Sequence, residues 1–388
     1  MSVRPPGVVA WAEIDLDAIA ANVRAFIRHV GPAVRVIAVV KANAYGHGAV
    51  PVAQTALQAG AQMLAVHRAV EAVALRTAGI DAPVLVLGYT PPDGAELVAR
   101  YDLTPSLITW EFAQAFSAAA AAQGRQMPAH IKLDSGMSRY GLLPGEAPGF
   151  IQAVSRLPGL VIEGLFTHFA TADAADPSFT LQQFGVFQDV AAAVRQAGVH
   201  IPLLHTANSA ATMRLPQTHL QAVRPGVAMY GMNPSDEWEP PFEIQPALAI
   251  KSLAVRVRDL SAGATVGYGR TFTARQPLRA ALVPVGYGDG YHRALSNRGW
   301  VLVRGQRAPL IGRVSMDQVV ADVSHIPDVA QDDEVVLLGA QGAERLPAEE
   351  VAGLAGTINY EATTSLLPRL VRVYLRAGQV VQVIPAVA

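Results

Sequence analysis

Between residues 34 and 231 the chain alternates two textures. Short apolar runs read as strands buried on both faces: VRVIAVV (34–40), AQMLAV (61–66), PVLVLG (83–88) and LTPSL (103–107). Between them lie segments with apolar residues at helical spacing. PVAQTALQAG (51–60) opens with Pro and closes with Gly, and RAVEAVALRTAG (68–79), DGAELVAR (93–100) and WEFAQAFSAAAAA (110–122) follow. AHIKLD (129–134), EGLFTHF (163–169), PLLHTAN (202–208) and AVRPGVAMYG (222–231) bring the strands to about eight. Eight βα units over about 230 residues predict a (β/α)8 barrel. A doubly wound sheet is the alternative, but no dinucleotide-binding fingerprint follows the first strand.

Near residue 240 the texture changes. WEPPFEIQP (238–246) reads as a linker, and the runs beyond it are β-rich, ending in a hairpin that turns at Ala377–Gly378. Only LPAEEVAGLAG (346–356) looks helical there. The expected organisation is a barrel over 12–240 and a mainly β domain over 241–388, with residues 1–11 packing on the latter.

Composition narrows the chemistry. The 388 residues carry a net charge of −1, which gives no reason to expect nucleic acid as a partner. No stretch resembles a membrane span or a signal peptide. Cysteine is absent, excluding thiol catalysis and agreeing with a cytoplasmic setting. Cations are 27 arginines against three lysines, Lys41, Lys132 and Lys251. A lysine can lose its proton and act as a nucleophile, which an arginine cannot. The ten histidines show no metal-ligand spacing, so no metal site is expected.

In barrel enzymes the chemistry sits at the C-terminal ends of the strands. Lys41 ends the first. Lys132 and Asp134 end another, with Arg139 in the loop that follows. His168, Asn208, Ser209 and Arg224 end others. Each has a plainer reading: Lys41 a strand-end cation, His168 a structural imidazole, Arg224 an ion-pair partner, Asn208 and Ser209 a helix cap. Lys132 could pair with Asp134 across the i, i+2 spacing of one strand face. Their recurrence at one end of successive strands points to a site. A reactive lysine with a phosphate-capable mouth suggests a Schiff-base cofactor, pyridoxal 5′-phosphate (PLP).

AVVKANAYGHG, KLDSGMSRYG, EGLFTHFATAD, HTANSAA, VRPGVAMYG, VGYGRTF, VPVGYGDGYHR, GRVSMDQ and TINYEATTSLLPR together resemble the alanine racemase family over essentially the whole chain. That family is a PLP-dependent barrel with a C-terminal β domain, active as a homodimer with shared sites, and it supplies D-alanine for peptidoglycan. The resemblance implies that Lys41 carries PLP and acts as one acid/base. Tyr268 is the opposing base, supplied to the partner's barrel. Two bases are needed because a single fixed base restores the original hand. Tyr45, Ser209, Gly226, Val227 and Tyr360 would hold the phosphate, with Asn208 beside them. Arg224 would face the pyridine nitrogen, and His168 would link it to the incoming tyrosine. Arg139 would contact cofactor and substrate carboxylate, and Met316 would offer its backbone to the same carboxylate. Lys132 matches a lysine carbamylated in many members. Tyr287, Asp289 and Arg293 match the entrance, and Asp317 adjoins Met316. Ser315 stands where some members have Cys. His67 has no counterpart role, and Lys251 is expected at the surface. A serine or broad-specificity racemase of the same fold is one alternative. PLP-dependent decarboxylases of this architecture place an acid where Arg224 stands, and a non-enzymatic PLP-binding homeostasis protein would lack the β domain.

Overall fold

The computed structural model describes residues 3–386. The first strand, β1 (Ala10–Asp15), leads into a helix over Leu16–Val30, which the Asp15 carboxylate caps by accepting from the N–H groups of Asp17 and Ala18. Eight strands then pair in parallel: β2 (Arg35–Val39), β3 (Met63–Val66), β4 (Val84–Val86), β5 (Thr104–Leu107), β6 (Met127–Lys132), β7 (Leu160–Phe166), β8 (Leu203–His205) and β9 (Ala222–Val223). Neighbours follow chain order, except that β9 returns to β2. The remaining seam, β8 against β9, is bridged by Gln221 N–H donating to Leu204 O (3.1 Å) and Arg224 N–H to Ala207 O (2.9 Å). This is the expected barrel. Its strands are mostly apolar because both faces are buried, one in the barrel interior and one under helices, with polar residues such as His130 and Lys132 set into β6.

The last two barrel strands are shorter than their sequences suggest. PLLHTAN keeps strand pairing only over Leu203–His205, and AVRPGVAMYG only over Ala222–Val223 before a single 3-10 turn at Val227–Tyr230. Asn208 N-caps the helix Ser209–Arg214, and Pro225 removes a backbone donor. The chain after both strands is therefore free to present backbone at the barrel mouth.

The second unit is built on a mixed sheet. Its strands run in the order Gln306–Pro309, Trp300–Val303, Glu334–Gln341, β10 (Leu248–Leu253), β1, Val371–Arg376 and Gln379–Ile384. β1 thus lies in this sheet, antiparallel to β10 and parallel to Val371–Arg376, so residues 12–15 pair with the β-rich half although the sequence pattern groups them with the barrel. Trp11 packs there with Leu253 and Val373. The closing hairpin turns at Ala377 and Gly378, both at positive φ, as a two-residue loop between twisted strands requires. The linker is tied to the first helix: Asn22 accepts from Gln245 N–H (2.8 Å) and donates to Gln245 O (2.9 Å).

Lys251, expected at the surface, is largely covered. It sits mid-sheet on β10, diagonal to Glu13 on one side and Glu334 on the other, and pairs with both carboxylates at 3.0 and 3.4 Å. The β half also holds a second short helix, Asn359–Thr364, which its sequence pattern did not announce.

Candidate active site

A cavity of about 440 Å³ opens at the C-terminal ends of the barrel strands. Its first wall begins with Lys41. Burial, and to a lesser degree the charge of Arg139, hold this amine below the ordinary lysine range. The chain then makes one left-handed turn, with Ala42, Asn43, Ala44 and Tyr45 all near φ +52°. Left-handed backbone costs about 1–2 kcal/mol per non-glycine residue, so the turn must be held. Ala42 N–H donates to the Glu71 carboxylate at 2.6 Å, Ala49 N–H to Asn43 Oδ1 at 2.9 Å, and Arg372 Nε to Gly46 O at 2.9 Å. The turn brings the Tyr45 ring into the same cavity as Lys41, packed against the Tyr230 and Tyr360 rings.

Tyr45, Ser209, Gly226, Val227 and Tyr360 form one end of the cavity. A side chain at position 226 would place its Cβ 2.6 Å from Tyr45 Oη, so only glycine lets the backbone approach this hydroxyl. Ser209 Oγ accepts from Gly226 N–H at 2.9 Å, locking the two mouth loops together. Burial pushes both tyrosine hydroxyls above their usual range, so they stay protonated and can donate to an anion. Asn208 is a helix cap first: its side chain accepts from Ala211 N–H at 3.0 Å.

Arg224 forms the floor. Its guanidinium donates to Thr167 O (2.6 Å), Thr206 O and His205 O (both 2.9 Å), and to His205 Nδ1 (2.8 Å); His168 Nδ1 lies 3.5 Å away. Burial lowers its pKa to about 9, which leaves it charged at neutral pH. That charge fixes the tautomers beyond it. His205 must accept at Nδ1, so its Nε2–H donates to His130 Nδ1 at 2.9 Å, and His130 Nε2–H donates to Glu163 at 3.2 Å. A buried cation is thus joined to a carboxylate through two imidazoles. Burial holds both rings, and His168, below the ordinary histidine range. None of His130, His205 and Glu163 was singled out from sequence. The available signal was the i, i+2 spacing of His130 and Lys132 on one strand.

The third wall carries Lys132 and Arg139. Lys132 is fully enclosed, with its Nζ 4.8 Å from the Phe166 ring centre, and burial followed by Arg224 and Arg139 forces its amine far below the usual range. It does not pair with Asp134. That carboxylate lies beyond the strand end and accepts the backbone N–H groups of Gly136, Ser138 and Arg139, each at 3.0 Å, folding the loop that presents Arg139.

Five expected residues stand outside this cavity. Tyr268 is 73% exposed, and Met316 and Tyr287 are exposed as well. They share one edge of the β half: Tyr287 N–H donates to Ser315 O (3.1 Å), Gly288 N–H to Met316 O (2.8 Å), and Gly267 packs on Arg313. Asp289 is buried and paired with Arg369 at 2.7 Å, which also reaches Asp317 at 2.8 Å. Arg293 begins a 3-10 turn on the same side. Tyr360, by contrast, lines the chain's own cavity from the unannounced helix. Among the described residues no group of three or more His, Cys, Asp or Glu could hold a metal ion.

Residues 14–234 match the family model for the alanine racemase N-terminal domain, and 247–374 that for the C-terminal domain. The chain belongs to the alanine racemase family. Its similarity to alanine racemases spans nearly the full length. It is 44% identical to that of Desulfovibrio desulfuricans over 94% of this chain and 98% of the relative, and 46% identical to that of Desulforamulus reducens over the same shares. The alanine racemase of Bacillus anthracis with bound L-Ala-P superposes with a TM-score of 0.92, at 40% identity over 98% and 99% of the two chains. That of Bartonella henselae with covalently bound pyridoxal phosphate gives 0.85, at 31% identity over 95% and 100%.

Proposed function

We propose that this chain interconverts L- and D-alanine with PLP held at Lys41, in a homodimer whose two cavities each borrow Tyr268 from the other subunit. Alanine racemase activity is what family membership gives, and supply of D-alanine for peptidoglycan is the family's general role. The residue assignments rest on one observation: a buried amine, two arginines and two protonated tyrosines converge on one cavity, while the tyrosine expected to oppose that amine lies exposed and outside it.

The cavity suits the cofactor at both ends. Tyr45, Tyr360 and Ser209, with the backbone of Gly226 and Val227, would hold the phosphate. Arg224 would face the pyridine nitrogen, where its fixed charge disfavours a proton. When bound, PLP supplies the electron sink that makes the α-proton of alanine acidic. Lys41, already depressed toward neutrality, takes or returns that proton on one face. Tyr268 of the partner subunit serves the opposite face, with His168 connecting it to Arg224. Arg139 and the backbone of Met316 hold the carboxylate, so the α-carbon stays between the two bases. Lys132, enclosed and with its amine pushed well below the usual lysine range by burial, is placed to take up CO2; the resulting anion would fix Arg139 by charge-assisted hydrogen bonds.

Mixing inactive Lys41→Ala and inactive Tyr268→Phe proteins tests the arrangement. After subunit exchange, each mixed dimer holds one intact site and one lacking both groups, so activity should return to about half per mixed dimer. Exchange confirmed by mass without recovered activity would mean that Tyr268 does not act across subunits.

A further inference from the structure

His67 follows β3 and lines the cavity together with Lys41, which follows the neighbouring strand β2, and Gly88, which follows β4 on the other side. It is exposed at the mouth, and its ring nitrogens have no hydrogen-bond partner among the described residues. Yet its place is built. Gly88 makes room for the ring: a side chain there would put its Cβ 2.7 Å from His67 Cε1 and 2.9 Å from Nδ1. One Glu71 oxygen accepts His67 N–H and the other Ala42 N–H, at 2.8 and 2.6 Å. A single carboxylate therefore sets the backbone of His67 against the residue that follows Lys41. An imidazole without a hydrogen-bond partner among the described residues thus stands exposed on the same cavity wall as Lys41.

We propose that His67 is a positioning residue for proton traffic at Lys41, carrying the proton that Lys41 removes from substrate out to solvent. This rests on the reading of Lys41 as one of the two bases. The N–H bond at the Lys41 ammonium breaks as one forms at the imidazole, and the imidazolium then releases its proton to water. The reverse sequence brings a solvent proton in. The groups facing His67 are Lys41, Glu71, Arg68 and Arg139, with Tyr89 on the same wall. Burial and Lys41 outweigh Glu71 and keep the imidazole below the ordinary histidine range, so at neutral pH it is uncharged and able to accept.

The test is isotopic. Each protiated enantiomer of alanine is incubated with holoenzyme in D2O, and solvent deuterium is followed into the unreacted enantiomer, relative to racemisation. For the enantiomer whose proton goes to Lys41, this washout should fall roughly tenfold in His67→Ala, and added imidazole should restore it. The other enantiomer, served by Tyr268, should be unaffected. His67→Gln keeps a polar side chain but no titrating nitrogen and should behave like His67→Ala. In the full-length protein without cofactor, the His67 ring protons should titrate at higher pH once Lys41→Met removes the amine. Unchanged washout in His67→Ala, retained washout in His67→Gln, or a His67 titration indifferent to Lys41 would each overturn the proposal. Lys41→Ala enzyme that still exchanges both enantiomers would instead sink the assignment of Lys41.

Discussion

Lys41 and Tyr268 occupy opposite kinds of environment. The lysine sits at the end of a barrel strand, enclosed, with its charge disfavoured by burial and by Arg139. The tyrosine stands 73% exposed on an edge of the β half, outside the cavity that the same chain builds. On the proposed reading, one chain finishes the cofactor end of a site and leaves the opposite face open. The difference teaches that enclosure and chirality make separate demands. A barrel interior can desolvate and orient one group, whereas in the proposed arrangement the second base, on the opposite face, comes from across the mouth.

The sharpest way to break this contrast is to remove each base alone. Lys41→Ala should abolish racemisation and the visible absorbance of bound cofactor together. Tyr268→Phe should lower kcat by about 10²–10⁴-fold while leaving that absorbance and the melting temperature unchanged, because its side chain is mostly exposed and its hydroxyl makes no hydrogen bond among the described residues. Spectra and melting curves of both variants check this. A Tyr268→Phe protein that loses cofactor would place the tyrosine in the cofactor end after all.

Lys132 offers a smaller effect on the same enclosed side. If its amine carries CO2 as an anion beside Arg139, Lys132→Ala should lower kcat/KM by roughly a hundredfold, the scale of a misplaced positioning group. Chloride or a small carboxylate should restore part of it. Intact mass, or density at Nζ, reports the modification directly; a bare ammonium there would leave Arg139 without the proposed partner.

The sequence made different parts of this contrast legible. Barrel strands were readable because burial on both faces leaves no polar alternation. Lys41 and Lys132 stood out because arginine has replaced lysine almost everywhere else. The chain Arg224–His205–His130–Glu163 was not readable, because its members come from three strands and the residue after a fourth, and meet only across the barrel sheet. Nor was the pairing of Lys251, whose two carboxylates, Glu13 and Glu334, lie far from it in sequence on the two strands that flank β10. The plainer reading, Asp134 paired with Lys132, fails because a carboxylate just past a strand end has backbone N–H donors within reach, and it accepts from these instead. The left-handed turn after Lys41 was hidden for another reason. ANAY carries no glycine to announce positive φ, and the turn is imposed by Glu71, Asn43 and Arg372.

That turn leads to the smallest expected effect, one on stability rather than rate. His47 follows it and is wholly buried, with its Nδ1–H donating to Ala44 O and Tyr45 O at 3.1 Å each. Burial lowers its pKa from 6.5 to about 4. In the unfolded chain the imidazole takes its proton near pH 6.5, whereas in the fold it resists until about 4. Its contribution is therefore fully present above 6.5 and is lost as pH falls through that window, by about 1.4 kcal/mol per pH unit while only the unfolded form is protonated. His130, His168 and His205 are depressed in the same direction and steepen the loss. Melting temperature measured from pH 7 to pH 4 should fall, and His47→Gln should fall less steeply over the same range, though from a lower starting value. Equal slopes in the two proteins would mean that His47 is already protonated in the fold, and that the turn after Lys41 does not depend on a neutral imidazole.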